Sequence, residues 1–257
     1  MSARFSYTPV AHVVQGEGGN NNRGIIVVRH NVTGKLYIEK RVGRSTIARG
    51  EIHREIRIMR QCRNHPHMVN IIDYYLDIRR FDYGSVFMQQ GELGSVDALI
   101  GRYRSRRQYL VDEGFAWKVL YDEAMGIAYL WTGQDDAAVR EHAALGEVVP
   151  RKSGWSPVIH RDLKPSNVFM AWRDKPAYPV NPHPVMLIGD FRSAVTDEDI
   201  LDDAVPPMDH RFASPEFPEY KRPNPAELPK YVWRGWQMWI QDREKDVEKL
   251  PEWALGG

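Results

Sequence analysis

The chain has 257 residues, 42% of them hydrophobic and 27% charged, a balance that fits a folded globular chain and excludes a disordered one. Lys and Arg number 35 against 34 Asp and Glu, so a net charge of +1 gives no polyelectrolyte basis for binding nucleic acid or an anionic membrane. A lone cysteine, Cys62, excludes an internal disulfide framework and a multi-cysteine zinc site. In chain order, Ile25-Ile26-Val27-Val28 and Leu36-Tyr37-Ile38 are apolar runs on either side of Asn31-Val32-Thr33-Gly34 and predict a hairpin. Over residues 50–63 the spacing turns helical, with Ile52, Ile56 and Met59 on one stripe, and His65-Pro66 is expected to end it. Residues 69–75 and 85–89 read as two further strands, completing a small antiparallel sheet with one helix.

Beyond Gly94 the chain is expected to be mainly helical. The clearest helix is 112–131, where Phe115, Val119, Leu120, Ile127 and Leu130 recur at three- and four-residue intervals. Residues 132–156, polar and punctuated by Gly133, Gly146, Pro150 and Gly154, read as a long loop or insertion, and 171–184 reads as a second one.

His160-Arg161-Asp162-Leu163-Lys164-Pro165-Ser166-Asn167 gathers a carboxylate, an ammonium and an amide in one short loop. It resembles the catalytic loop of protein kinases, His-Arg-Asp with an Asn five residues after the Asp. Phosphoryl transfer needs a carboxylate to orient the attacking hydroxyl and accept its proton, beside an amide oxygen that holds Mg2+. The resemblance implies that Asp162 is the catalytic base and Asn167 a metal ligand, while Lys164 matches the serine/threonine form and neutralises the transferring phosphate. Asp190, delivered by the apolar run Val185–Ile188 and followed by Phe191, resembles the Asp-Phe-Gly motif whose Asp binds Mg2+. Arg192 replaces the glycine and gives up much of its backbone freedom, so a segment locked in one state or misplaced is expected. Arg192 also has acids to pair with, in Asp197, Glu198, Asp199, Asp202 and Asp203; that run reads as a solvated acidic loop or as a partial substitute for a phosphate.

On the nucleotide side, Gln15-Gly16-Glu17-Gly18-Gly19 fits a plain hairpin turn or a phosphate clamp by itself, and ahead of Lys40 it resembles the glycine-rich loop over ATP phosphates. Lys40 shares a strand face with Leu36, Ile38 and Val42, and Glu55 falls on the apolar stripe of the 50–63 helix. Two opposite charges on inward faces predict one buried pair. The resemblance makes them the phosphate-contacting lysine and the glutamate that orients it, both catalytic. Ile38 stands where the family commonly has alanine above the adenine ring, which narrows the slot; Met88 would be the gatekeeper and Gln89 to Gly91 the hinge. The implied cofactor-binding set is Gly16, Glu17, Gly18, Ile25, Ile38, Lys40, Met88, Gln89 and Gly91. Met59, Ile71, His160 and Phe191 would form a hydrophobic spine.

Phe212-Ala213-Ser214-Pro215-Glu216 resembles the end of an activation segment in a form similar to NIMA-related kinases. Asp209 stands where the family has a threonine, placed to pair with Lys164 or repel Asp162, and Arg161 would dock a phosphorylated segment. After Glu216 the family's next buried helix has no counterpart, and a Trp-rich stretch with Trp233, Trp236 and Ile240 on one helical face follows.

The resemblance therefore implies an α+β, two-lobed fold: a small antiparallel N-lobe with one helix at about 8–91, and an incomplete, mainly helical C-lobe at about 92–218 containing the 132–156 insertion. A divergent tail, 219–257, follows. It implies a serine/threonine protein kinase that uses ATP and Mg2+, with a protein substrate offering a Ser or Thr hydroxyl, a regulatory protein partner, no nucleic acid and no membrane. Arg192, Asp209 and the short C-lobe keep open a catalytically impaired pseudokinase that serves as a nucleotide-binding or scaffold module. A small-molecule phosphotransferase is disfavoured by Lys164 and the Ser-Pro-Glu segment. Residues 1–10 lack a signal-peptide pattern and no apolar run is long enough for a membrane span, so an intracellular protein, cytoplasmic or nuclear and not secreted, is expected.

Overall fold

A computed structural model describes residues 3–12, 22–79, 81–108, 112–172 and 183–201. The glycine-rich stretch with Gly16, Glu17 and Gly18, the middle of the 171–184 stretch, Asp202, Asp203, Asp209, the 212–216 segment and the Trp-rich tail lie outside the described residues.

After a 3-10 turn at Ala3–Ser6, five strands build one sheet: β1 (Tyr7–His12), β2 (Asn22–His30), β3 (Leu36–Gly43), β4 (Ile71–Tyr75) and β5 (Tyr83–Gln89). Their order is β1-β2-β3-β5-β4, antiparallel throughout. The β2–β3 turn closes where Gly34 takes φ +69°, a left-handed value that glycine adopts without a side-chain clash. Between β3 and β4 the chain forms α1 (Arg44–Ala48) and α2 (Glu51–Gln61). Ile52, Ile56 and Met59 are buried on α2 and face the sheet-side core. The helix ends earlier than His65-Pro66: it stops at Gln61, and Asn64 then turns the chain with φ +68°.

The second part contains α3 (Val96–Ser105), α4 (Glu113–Thr132), α5 (Asp136–Ala144), β6 (Val158–Ile159), β7 (Val168–Ala171), β8 (Val185–Ile188), β9 (Val195–Thr196) and α6 (Asp197–Leu201). Short antiparallel pairs join β6 to β9 and β7 to β8. The fold is thus α+β, with an antiparallel sheet and several helices, and its first part matches a kinase-like N-lobe. Among the described residues no helix is long and apolar enough to cross a membrane.

Helix α4 corrects the sequence reading of its faces. Phe115, Asp122, Met125, Gly126 and Leu130 are buried, whereas Leu120 and Ile127 are exposed with Trp117, Tyr121 and Trp131. The helix carries apolar residues on opposite faces, so spacing alone does not select the core one. Gly126 lets α4 close on β8, since a Cβ there would lie 2.7 Å from Ile188 Cδ1 and 3.0 Å from Met68 Cε.

The 132–156 stretch is likewise not a loop throughout, because it holds α5. Asp135 caps that helix by accepting from the Ala138 N–H, and alanines and long side chains continue it. Lys152 N–H donates to the Thr132 carbonyl, and Trp155 Nε1–H to that of Leu130, which returns the stretch to the end of α4.

One core crosses the two parts. Ile52, Ile56, Met59, Met68 and Ile71 from the first part pack in one cluster with Leu130, Leu187, Ile188 and Phe191 from the second. The backbone reinforces it: Val69 N–H donates to the Ile188 carbonyl and Ile188 N–H to that of His67, both at 2.9 Å. Strand β8 is therefore anchored immediately before Asp190.

Candidate active site

Lys40 lies in the third strand of the sheet, paired to Ile25 on one side and Val86 on the other. Its ammonium is buried at 5% exposure, with Nζ 2.7 Å from Glu55 Oε1 and 3.2 Å from Asp190 Oδ1. Glu55, 3% exposed, comes from α2, and Asp190 comes from the end of β8. Burial works against the charge on Lys40, but the two carboxylates outweigh it and hold the lysine above its ordinary range. Lys40 in turn holds the Asp190 carboxyl below the usual carboxylate range, against burial and with help from Arg192.

Asp190 takes φ +57°, an uncommon conformation for a residue with a side chain. The left-handed step therefore falls one position before Phe191, which opens a 3-10 turn over Phe191–Ser193. Arg192 sits inside that turn without a positive φ and carries no strain from replacing glycine. Nor are Asp197, Glu198 and Asp199 its partners: Arg57 pairs with Glu198 and Asp199, and Arg151 approaches Asp197.

The 160–167 loop follows β6. His160 is buried, its Nε2–H donates to the Gly189 carbonyl over 3.0 Å, and its ring meets Phe191 edge-on at 5.1 Å. Burial keeps this imidazole below its ordinary pKa. Arg161 turns the backbone with φ +65°. Asp162 then presents one oxygen to Lys164 Nζ at 2.9 Å and the other to Asn167 Nδ2 at 3.0 Å. Asn167 Nδ2 also donates to the Asp162 carbonyl, so its amide nitrogen is engaged and the side-chain oxygen is the atom left for another ligand. Gly189 N–H donates to the Asn167 carbonyl. Met59, Ile71 and Phe191 share the main core cluster, and His160 joins it through Phe191.

On the hinge side, Ile38 pairs with Met88 across β3 and β5, and Met88 pairs onward with Ile71 and packs against the main core. Ile25 and Ile38 are half-buried. Gln89 N–H donates to the Asn70 carbonyl, and the Gln89 side-chain oxygen accepts from Asn70 Nδ2. Its backbone donor is therefore already engaged, and the Gly91 carbonyl is engaged too, accepting from the Gly94 N–H at 2.9 Å. Gly91 packs so tightly that a Cβ would lie 2.7 Å from Phe169 Cβ.

Sequence reasoning misses a second polar cluster, which joins α4 and α5 to the segment ahead of β4. His67 Nε2 lies 3.2 Å from Asp136 Oδ2, His65 Nε2 lies 3.2 Å from Asp136 Oδ1, and His67 Nδ1 is 3.6 Å from Asp122 Oδ1. Asp122 also accepts from Lys118 and from the Met186 N–H. Its signal was an acid on the buried stripe of α4, between Phe115 and Gly126. Among the described residues no group of three or more His, Cys, Asp or Glu is arranged to hold a metal.

No protein-family model matches the chain. Over 146 residues, 56% of its length, it is 27% identical to the serine/threonine-protein kinase Nek2 of Homo sapiens and equally to that of Mus musculus. The chain's match spans 28% of the length of these curated relatives. This similarity supports a kinase-like domain.

Proposed function

We propose that the chain is an ATP- and Mg2+-dependent serine/threonine protein kinase domain that transfers the γ-phosphoryl group of ATP to a Ser or Thr hydroxyl of a protein. The observation that carries this reading is the meeting of Lys40, Glu55 and Asp190, with the Asp162–Asn167 loop hydrogen-bonded to the glycine before Asp190. In it Asp162 holds the acceptor hydroxyl and takes its proton, and Lys164 faces the phosphate oxygens. Lys40, oriented by Glu55, steadies the nucleotide phosphates. The Asp190 carboxylate and the Asn167 amide oxygen are hard oxygen donors, a set that suits Mg2+ bound through one or two protein groups and nucleotide phosphates. The ion supplies neutralisation of phosphate charge. Gly16, Glu17, Gly18, Ile25, Ile38, Met88, Gln89 and Gly91 complete the proposed nucleotide site, within a domain at 8–218.

The test is purified protein with labelled ATP, Mg2+ and a generic basic substrate protein, beside Asp162→Asn. Transfer in the parent that disappears in the variant supports the reading. Equal background in both, with a thermal shift on Mg-ATP, would establish the nucleotide-binding scaffold instead. Absence of both transfer and shift would remove the nucleotide site altogether.

A further inference from the structure

Two residues after Glu55, helix α2 carries Arg57. Its Nη2 lies 2.6 Å from Asp199 Oδ1, and its Nη1 lies 3.3 Å from Thr196 Oγ1 and 3.7 Å from Glu198 Oε2. The acidic run is not uniformly solvated. The side chains of Asp197 and Glu198 are 52% and 72% exposed, whereas Asp199 as a residue is 8% exposed. The second Asp199 oxygen accepts from the Thr196 N–H and hydroxyl, at 2.8 and 2.9 Å. Thr196 thus donates twice to one Asp199 oxygen at the start of α6, the half of a capping box in which the acid reaches back to the first residue. Burial works against the Asp199 charge, but the Thr196 bonds and Arg57 prevail and hold its carboxyl below the ordinary range.

What this carboxylate joins is informative. Thr196 pairs with Val158 in β6, the strand that leads directly into the 160–167 loop. Arg57 belongs to the helix that sets Glu55 against Lys40. One turn earlier, Arg54 Nη2 donates to the Arg192 carbonyl at 3.4 Å, a second tie between α2 and the segment after Asp190.

We propose that Asp199 and Arg57 are positioning residues. The Asp199 carboxylate clamps α2 to β9 and so fixes Glu55 against Lys40, with a charge encoded in the chain and no phosphate added to the segment. The consequence for catalysis rests on the kinase reading; the clamp itself is a property of the fold. A short guanidinium–carboxylate bond is charge-assisted and directional, which suits it to hold one helix register.

The test is hydrogen exchange on the full chain, alongside the transfer assay. Asp199→Asn keeps the shape and removes the charge, and Arg57→Gln does the same from the exposed side, where folding is not at stake. Each is expected to speed exchange of the α2 amides about fivefold while leaving β7 and β8 unchanged. Arg57→Lys stays near the parent, and the double variant is no worse than either single. Phosphatase treatment of the parent leaves α2 protection intact. Where the parent transfers phosphate, both neutral variants lower the rate and Arg57→Lys restores it. Unchanged α2 exchange overturns the clamp even if the parent is an active kinase. So does uniform loosening of β7 and β8, failure of Arg57→Lys, or loss of protection on phosphatase treatment. A parent without transfer overturns the kinase reading and leaves the exchange result to decide the clamp.

Discussion

Gly189 is hydrogen-bonded to both ends of the loop that carries Asp162, and its closest link is to Asn167: the Gly189 N–H donates to the Asn167 carbonyl over 2.9 Å, while its own carbonyl accepts from His160. The residue before Asp190 therefore couples that carboxylate to the Asp162–Asn167 loop, which lies well before it in the sequence. Asp162 and Asn167 are fixed to each other, and both are fixed to the backbone that delivers Asp190.

The first prediction concerns that glycine. A Cβ at Gly189 would lie 2.8 Å from Val69 Cγ2 and 3.0 Å from Phe169 Cε2. Gly189→Ala should therefore cost about 1–3 kcal/mol by overpacking and, where the parent transfers phosphate, lower the rate by displacing Asp190 from the loop. Urea unfolding and the transfer assay measure the two effects. Parental values in both would show that the neighbours yield freely and that Gly189 is not a strict coupling point.

Much of this arrangement is legible in the sequence because it is local. The β2–β3 hairpin follows from a turn signal between apolar runs, and α2 from its Ile52, Ile56, Met59 stripe. Lys40 and Glu55 stand out as charges on apolar faces, an anomaly that burial resolves only by pairing. Asp199 escapes the same logic. Its burial depends on Arg57, distant in the chain, and a run of acids looks solvated until its partner is placed. Its only local mark is Thr196-x-x-Asp199, a cap signature. Helix α5 is missed because polar residues with flanking glycines resemble a loop, although Asp135 and the alanines after it favour a helix. On α4, two apolar faces compete and only packing against β8 selects one.

A second prediction follows from the burial of Lys40. Lys40→Met leaves Glu55, 3% exposed, without its cation, and should cost about 3–5 kcal/mol. Pairing it with Glu55→Leu should recover most of that stability, because the deeply buried charge is then gone and only Asp190, whose side chain is 35% exposed, is left without its lysine. Mg-ATP should shift the melting temperature of neither variant. Recovery of stability together with a parental nucleotide shift would show that Lys40 does not contact the nucleotide.

A third prediction concerns pH. His65 stacks on Tyr129 with ring centres 3.8 Å apart, and burial pushes its imidazole down to about 4, with Asp136 and Asp135 partly opposing and His67 adding to the shift. Its folded pKa lies below its unfolded value, so between those values the unfolded chain binds more protons. Stability is therefore full above about pH 6.5 and falls as pH drops toward 4, by at most about 1.4 kcal/mol per unit from this group. His160, lowered in the same direction by burial, adds to the slope. His65→Phe keeps the stack and should make the decline shallower without abolishing it. Urea unfolding at pH 7.5, 6 and 5 would reveal this, and an unchanged slope would mean that His65 is not the group being titrated.

The final prediction addresses how the 132–156 stretch is fastened. Gly133 ends α4 with φ +73°, and its N–H donates to the Tyr129 carbonyl. A Cβ there would lie 2.4 Å from Trp155 Cδ2 and 2.6 Å from Cγ, so an alanine meets both a left-handed backbone and an indole face. Trp155 is itself held by its bond to the Leu130 carbonyl and cannot withdraw without losing it. Gly133→Ala should thus destabilise by about 2–4 kcal/mol, combining backbone strain with overpacking. Trp155→Ala relieves only the second contribution. The double variant should then cost less than the two singles added together, measured by urea unfolding. Strict additivity would place the whole cost of Gly133→Ala in its backbone and none in a clash with the indole.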